Sequence, residues 1–212
     1  MGRIKCPHCG STNTVKYLWG MPLMDENLQQ QIDEGKVVLG GCMLQGAEID
    51  GQMVNIGPAR KCNVCGRDFG TPPVLVDQAT GQGEFLPDAV REVRFRILNF
   101  LGSDEVRIRK TRGGAEVSVF RFDLKAPGGD TKLTPAQWQK LVSRLYDHLY
   151  LHEWKKRYKP VGFIILDGQS WSLEIRLTRG RRRTYAGENA YPPYWEALEQ
   201  LFRPYMRSGC DE

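Results

Sequence analysis

Cys6-Pro7-His8-Cys9-Gly10 and Cys62-Asn63-Val64-Cys65-Gly66 carry the same short pattern twice, and how they are read decides the fold of the first third of the chain. A C-x-x-C turn brings two thiolates close enough to share one tetrahedral ion, and glycine after the second cysteine takes φ > 0 at no steric cost. Backbone N–H groups in such a turn can point at the sulfurs and temper their negative charge. A disulfide framework fits poorly, since the N-terminal stretch shows no export signal. A thioredoxin-like redox pair comes singly within a βαβ pattern, whereas two matched copies point to a shared ion. The spacing therefore predicts one structural Zn²⁺ held by Cys6, Cys9, Cys62 and Cys65. Residues 10 through 61 separate the pairs, which is longer than the usual 12–20 or so, so this loop must carry structure of its own.

Asp25 to Glu34 reads as a short helix with Leu28 and Ile32 at i, i+4 and Gly35 as its stop. Val15–Trp19 and Lys36–Leu39 are strand candidates, and Gly46–Gly51 has turn chemistry. His8 lies inside the first turn and could replace one cysteine in a Cys3His site. Cys42, after Gly40-Gly41, reads as a buried small apolar residue rather than a fifth ligand, and Cys210 has no assigned role. Residues 1–70 resemble small bacterial zinc-ribbon proteins, through Cys6-Pro7-His8-Cys9-Gly10-Ser11, Gly35-Lys36-Val37-Val38-Leu39-Gly40-Gly41-Cys42 and Cys62-Asn63-Val64-Cys65-Gly66-Arg67-Asp68-Phe69. The resemblance implies a zinc ribbon, includes Cys42 in the shared pattern as a candidate neighbour of the metal, and implies no activity.

Residues 71–89, rich in turn formers, read as a linker or packed loop, and residues 90–212 as a separate domain. Val93, Phe95 and Ile97 alternate with Arg94 and Arg96; Val106 and Ile108 alternate with Arg107 and Arg109. Phe120, Phe122 and Leu124 suggest a third strand ending at Pro127-Gly128-Gly129, and Phe163–Leu166 is a short apolar run. Trp171–Leu177 and Arg181–Tyr185 form a hairpin pattern turned at Thr178-Arg179-Gly180. Thr134-Pro135-Ala136-Gln137 is a capping box, and Trp138, Leu141, Val142, Leu145 and Leu149 extend a helix to near Tyr158. A second helix follows Pro192-Pro193 and is bounded by Pro204. The expected class is α+β: a zinc ribbon with a long insertion, then a mostly antiparallel sheet covered by two helices. Trp154-x-x-x-Tyr158, Asp167-Gly168-x-x-Trp171-x-Leu173 and Gly187-x-Asn189-Ala190-Tyr191-Pro192 resemble a recurrent element of bacterial proteins of unknown function. That second resemblance implies a shared fold and no chemistry.

Candidates for a reaction are few. His148 and His152 have the i, i+4 spacing of a zinc peptidase, but Leu149 stands where H-E-x-x-H needs its general base. Both read instead as histidines at the edge of the core. Asp167 and Asn189 could form a polar dyad, although each has a simpler reading in a turn or ahead of a helix. Phosphate-cradling glycine loops and a G-x-S-x-G nucleophile turn are absent from the sequence. The expectation is a binding or adaptor protein without catalysis; an enzyme using Asp167 and Asn189, or His148 and His152, is the rival.

Charge narrows the partners. The 212 residues are 41% hydrophobic and 26% charged, with 30 Lys+Arg against 25 Asp+Glu, a globular balance that excludes disorder. No apolar run approaches the ~20 residues of a spanning helix, and Met-Gly-Arg-Ile-Lys-Cys lacks an apolar signal core, so a cytoplasmic, non-membrane protein is expected. Residues 1–72 hold 7 basic and 7 acidic side chains, so the whole +5 lies in residues 73–212. Four thiolates and one Zn²⁺ would take the ribbon to about −2. Arg94, Arg96, Arg107 and Arg109 would project from one sheet face, with Arg181, Arg182 and Arg183 nearby, and such a face could neutralise phosphates. A protein partner is expected, and nucleic-acid binding by this basic face is the alternative.

Overall fold

The computed structural model describes residues 4–100, 102–122, 124–125, 131–162 and 168–206. It is a mixed α+β chain with mostly antiparallel sheets, dividing into two compact units, Met1–Leu86 and Pro87–Glu212. Phe163–Leu166, Asp167, Pro127-Gly128-Gly129 and Cys210 lie outside the described residues.

In the first unit, β1 (Thr14–Trp19), α1 (Glu26–Asp33) and β2 (Val37–Gly41) form a crossover in which β1 and β2 run parallel. The helix starts as expected: Asp25 caps it by accepting the Leu28 N–H at 2.7 Å. Gly46–Ile49 forms β3, where only a turn was expected. Its hairpin to β4 (Gln52–Asn55) turns at Asp50 and Gly51, both at positive φ, the backbone a two-residue hairpin requires. β5 (Arg60–Cys62) and β6 (Asp68–Phe69) complete a sheet of order β2-β1-β5-β6. The long insertion is fastened by Trp19, whose ring lies over Gly40, where a Cβ would come within 2.5 Å. Its indole N–H donates to the Pro58 carbonyl at 2.9 Å. Residues read as a linker hold a further hairpin within this unit, β7 (Val74–Val76) against β8 (Gly83–Phe85), followed by the short α2 (Leu86–Ala89).

The second unit is built on an eight-stranded sheet. Its strands are β9 (Val90–Asn99), β10 (Gly102–Thr111), β11 (Gly114–Arg121), β12 (Leu124–Lys125), β13 (Thr131–Leu133), β14 (Arg157–Tyr158), β15 (Ser170–Leu177) and β16 (Arg182–Glu188). The order is β12-β11-β10-β9-β15-β16-β14, with β13 beside β11, and all pairs are antiparallel except β14 with β16. Val93, Phe95, Val106, Ile108, Val117, Leu173 and Ile175 are buried on one face. Against that face pack α3 (Pro135–Ser143) and α4 (Trp195–Met206); Phe202 of α4 sits 4.7 Å from Phe95 between ring centroids. The capping box forms in both halves: the Thr134 hydroxyl accepts the Gln137 N–H, and the Gln137 side chain accepts the Thr134 N–H.

Three elements differ from expectation. The third strand buries Ala115, Val117 and Val119, so Phe120 faces the other way and stacks under Arg107 at 4.7 Å. Phe122 has φ 50° and lies over Gly102, filling space that any Cβ there would occupy. The first long helix stops at Ser143. It passes into a π-helical turn, Arg144–His148, then Tyr150 in the left-handed region, then a 3-10 turn, Leu151–Glu153. Leu145 and Tyr146 both remain buried through the π turn, continuing the face begun by Leu141 and Val142. Pro204 falls inside α4 rather than beyond it, in the helix's last turn, so few helical residues follow the bond it removes.

Candidate functional site

The register Thr14↔Cys62 in the β1–β5 pair sets both C-x-x-C turns at one end of the sheet. Asn63 bolts them together, its backbone N–H donating to the Asn13 carbonyl at 3.0 Å and its amide to the Asn13 side chain at 2.9 Å. The two turns are built alike. Gly10 N–H donates to Cys6 O and Gly66 N–H to Cys62 O, each at 2.9 Å, with the glycines at φ 78° and 70°.

The four sulfurs lie within 4.8 Å of one another, with Cys6 to Cys65 at 3.8 Å and Cys9 to Cys62 at 3.6 Å. A tetrahedron of ligands about 2.3 Å from a central ion has edges of about 3.8 Å, so this spacing fits a metal ion. The thiols already differ. Burial pushes Cys6 up to about 12. Burial also acts on Cys62, but N–H donors from Cys65 and Val64 and the neighbouring thiols outweigh it and bring Cys62 to about 7. Among the described residues this is the one group of three or more His, Cys, Asp or Glu side chains able to hold an ion; His8 and Cys42 are not in it. Cys42 is exposed, contrary to the expectation of a buried apolar residue, because it follows the last residue of β2 at the sheet's end.

The expected reaction residues do not assemble. Asp167 lies outside the described residues. Asn189, at φ 49°, accepts the Gln169 N–H at 2.7 Å and covers Gly168, which fits a side chain that fixes a loop. His148 is exposed at the end of the π turn, while His152 is nearly buried in the next turn, stacked on Tyr146 and 3.6 Å from Glu153. The left-handed Tyr150 between them breaks the shared helical face that the i, i+4 reading required.

Arg94, Arg96, Arg107 and Arg109 do share the sheet face opposite the core, with Arg94 directly across from Arg107. That face is not a bare basic surface. Glu92, Glu105 and Glu174 lie among the arginines: Arg94 is 3.3 Å from Glu92 and 3.4 Å from Glu105, and Arg107 is 2.9 Å from Glu105. Arg176 is 3.0 Å from Glu174, and Arg182 is 3.5 Å from it. Arg181 hydrogen-bonds Thr178 beside the turn. Arg183, opposite Ile175 in register, belongs to the core face, where it hydrogen-bonds Tyr185.

A triplet repeated three times carried the signal that sequence reading missed: Glu92-Val93-Arg94, Glu105-Val106-Arg107 and Glu174-Ile175-Arg176. On a strand, residues i and i+2 share a face, so each triplet carries its own ion pair. Neither a family model, a curated protein nor a solved structure matches the chain.

Proposed function

We infer that the chain is a zinc-stabilised, non-catalytic binding or adaptor protein, its first 70 residues forming a zinc ribbon with a long insertion. The sulfur spacing carries this reading. Four thiols at tetrahedral distances suit Zn²⁺ or iron, and all four positions are taken by protein, so the ion has no open site for water or substrate. Its role is then to close the fold, because the two turns come from distant parts of the chain and metal binding is coupled to their folding.

Exposed apolar side chains support a protein partner. Gly20 N–H donates to the Gly41 carbonyl at 2.9 Å, so the segments after β1 and β2 leave the sheet side by side. They carry Met21, Leu23, Met43 and Leu44, all exposed, Met21 at 89% and Leu23 at 92%. Methionine-rich surfaces adapt their shape to partners, and large exposed apolar side chains in one place mark interaction sites. Photo-crosslinkers at Met21 and Met43 should trap one defined protein, and Leu23→Asp should abolish the adduct. Equal trapping from a crosslinker at Arg144, or none at all, would contradict the adaptor role.

A further inference from the structure

Two grooves of the second unit meet at Arg182. The larger, about 1070 Å³, follows the outer edge of β16 beside β14. Among the described residues it gathers Arg96, Lys156, Arg157, Lys159 and Arg182 against one carboxylate, Glu188, while Arg183 borders it from the core face. The second, about 710 Å³, lies beside the β15–β16 turn. It brings Arg91, Arg109, Lys110, Arg176, Arg181 and Arg182 around Glu92. Because Arg182 lines both, the grooves form one track. Counting Glu174, which pairs with Arg176 and Arg182, and leaving Arg183 aside, it holds ten cations against three carboxylates among the described residues.

The acids fix the cations more than they cancel them. Glu92, with its side chain 5% exposed, sits beneath Arg109 and Arg176 and holds both guanidinium groups from below. Those two arginines remain 63% and 46% exposed, and Arg182 63%. Arginines held in place lose less side-chain freedom on meeting a ligand, and their planar forks match phosphate oxygens two at a time. Ser170, Ser172 and Thr184 add hydroxyl donors along the larger groove.

We propose that this track binds the phosphodiester backbone of nucleic acid without reading its sequence. A polyanion with condensed counterions gains free energy by releasing them, whereas an acidic peptide meeting exposed arginines gains only about 0–1 kcal/mol per pair. Sequence is not read because exposed arginines and lysines meet phosphates, and stacking adds little because most of the aromatic floor is closed. Trp154, Trp171 and Tyr185 are buried, and both indole N–H groups are already bound, to the Leu149 and Ala190 carbonyls. Among the described residues of the groove only Tyr158 keeps a half-exposed ring, packed 5.8 Å from Trp171, which is no series of platforms for successive bases. Crossing β14, β16, β15, β9 and β10 spans about 19 Å at the strand spacing of a sheet, room for about five phosphates.

The test is fluorescence anisotropy with the full, metal-loaded chain. The probes are a labelled 20-nucleotide oligo(U), a labelled 20-base-pair DNA duplex and labelled poly-glutamate, each from 50 to 200 mM NaCl. Five phosphates predict a log–log salt slope of about −3.5 for the single strand or about −4.5 for the duplex, a loss of 100-fold or more over that range. Arg182→Glu should weaken binding about 10-fold and reduce the slope by at least about one. Lys156→Glu with Lys159→Glu, both exposed and outside the strands, should do the same should Arg182→Glu fail to fold. Lys36→Glu, in the first unit, should leave affinity within about twofold. Binding of neither nucleic acid at 50 mM overturns the proposal. So does poly-glutamate binding as tight and as sensitive to Arg182→Glu, which identifies an acidic protein instead, and so does an equal loss with Lys36→Glu.

Discussion

Replacing Glu92 with glutamine removes one negative charge from beneath three guanidinium groups while keeping the side chain's shape. Arg94 lies 3.3 Å from the carboxylate, Arg109 3.3 Å and Arg176 3.7 Å. Breaking a buried pair by removing one partner costs about 3–5 kcal/mol. Here only one side is fully buried: Arg94 is 25% exposed, while Arg176 and Arg109 reach water more freely. Solvent screening of those two lowers the expectation to about 2–3 kcal/mol. For a unit of this size that is a fall of about 8–12 °C in the melting temperature of the second unit. Calorimetry of the full chain would resolve it, with Arg109→Gln as comparison, expected to cost less than about 1 kcal/mol because its partner keeps Arg94 and Arg176. Raising NaCl from 0.1 to 1 M shortens the screening length from about 10 to 3 Å, yet most of the Glu92 effect should survive, since its nearest partners are closer than that. A Glu92→Gln cost below about 0.5 kcal/mol, or an Arg109→Gln cost equal to it, would refute the buried-anchor argument.

Four further outcomes are expected. Thr134→Ala should cost about 1 kcal/mol by removing the hydroxyl half of the capping box, measurable by urea denaturation. Gly114→Ala should cost at least about 2 kcal/mol, because φ is 133° and the new Cβ would meet the Leu133 carbonyl oxygen at 1.9 Å. Burial raises Tyr158 to about 12 and also raises Tyr146 and Tyr185. The folded state therefore keeps protons that the unfolded chain releases near pH 10, so stability holds below pH 10 and falls as pH rises through 12. Absorbance of tyrosinate during alkaline unfolding would check this; stability rising over that window would contradict it. Cys62→Ser, or chelation of the proposed zinc, should remove amide-exchange protection from residues 4–70 while the strands of the second unit keep theirs.

The parts of the fold that were legible in the sequence are those in which one residue's chemistry dictates one geometry. The paired C-x-x-C-G turns, the Asp25 cap and the Thr134 capping box all stand where their residues imply. Alternation alone was less decisive. Phe120, Phe122 and Leu124 outweigh Ala115, Val117 and Val119 in bulk, so the pattern marked the third strand at Phe120, six residues after β11 begins. The π turn was invisible because Val142, Leu145, Tyr146 and Leu149 all keep the spacing of a regular helix, so the apolar pattern carries no mark of the break after Ser143. For the polar face, counting arginines saw the charge but missed its anchors, because Glu92, Glu105 and Glu174 matter through strand pairing that brings distant residues together. The positive balance of the second unit is therefore an ordered lattice of ion pairs with a surplus of cations along one edge.

The fold proposed for the first unit depends on what the four thiols hold. X-ray absorption of the purified full chain at the zinc edge, with metal content measured on the same sample, reads both the element and its first coordination shell. The predicted result is one zinc per chain with four sulfur neighbours at about 2.3 Å. A chain isolated without zinc, or a shell containing nitrogen or oxygen in place of any sulfur, would contradict the account.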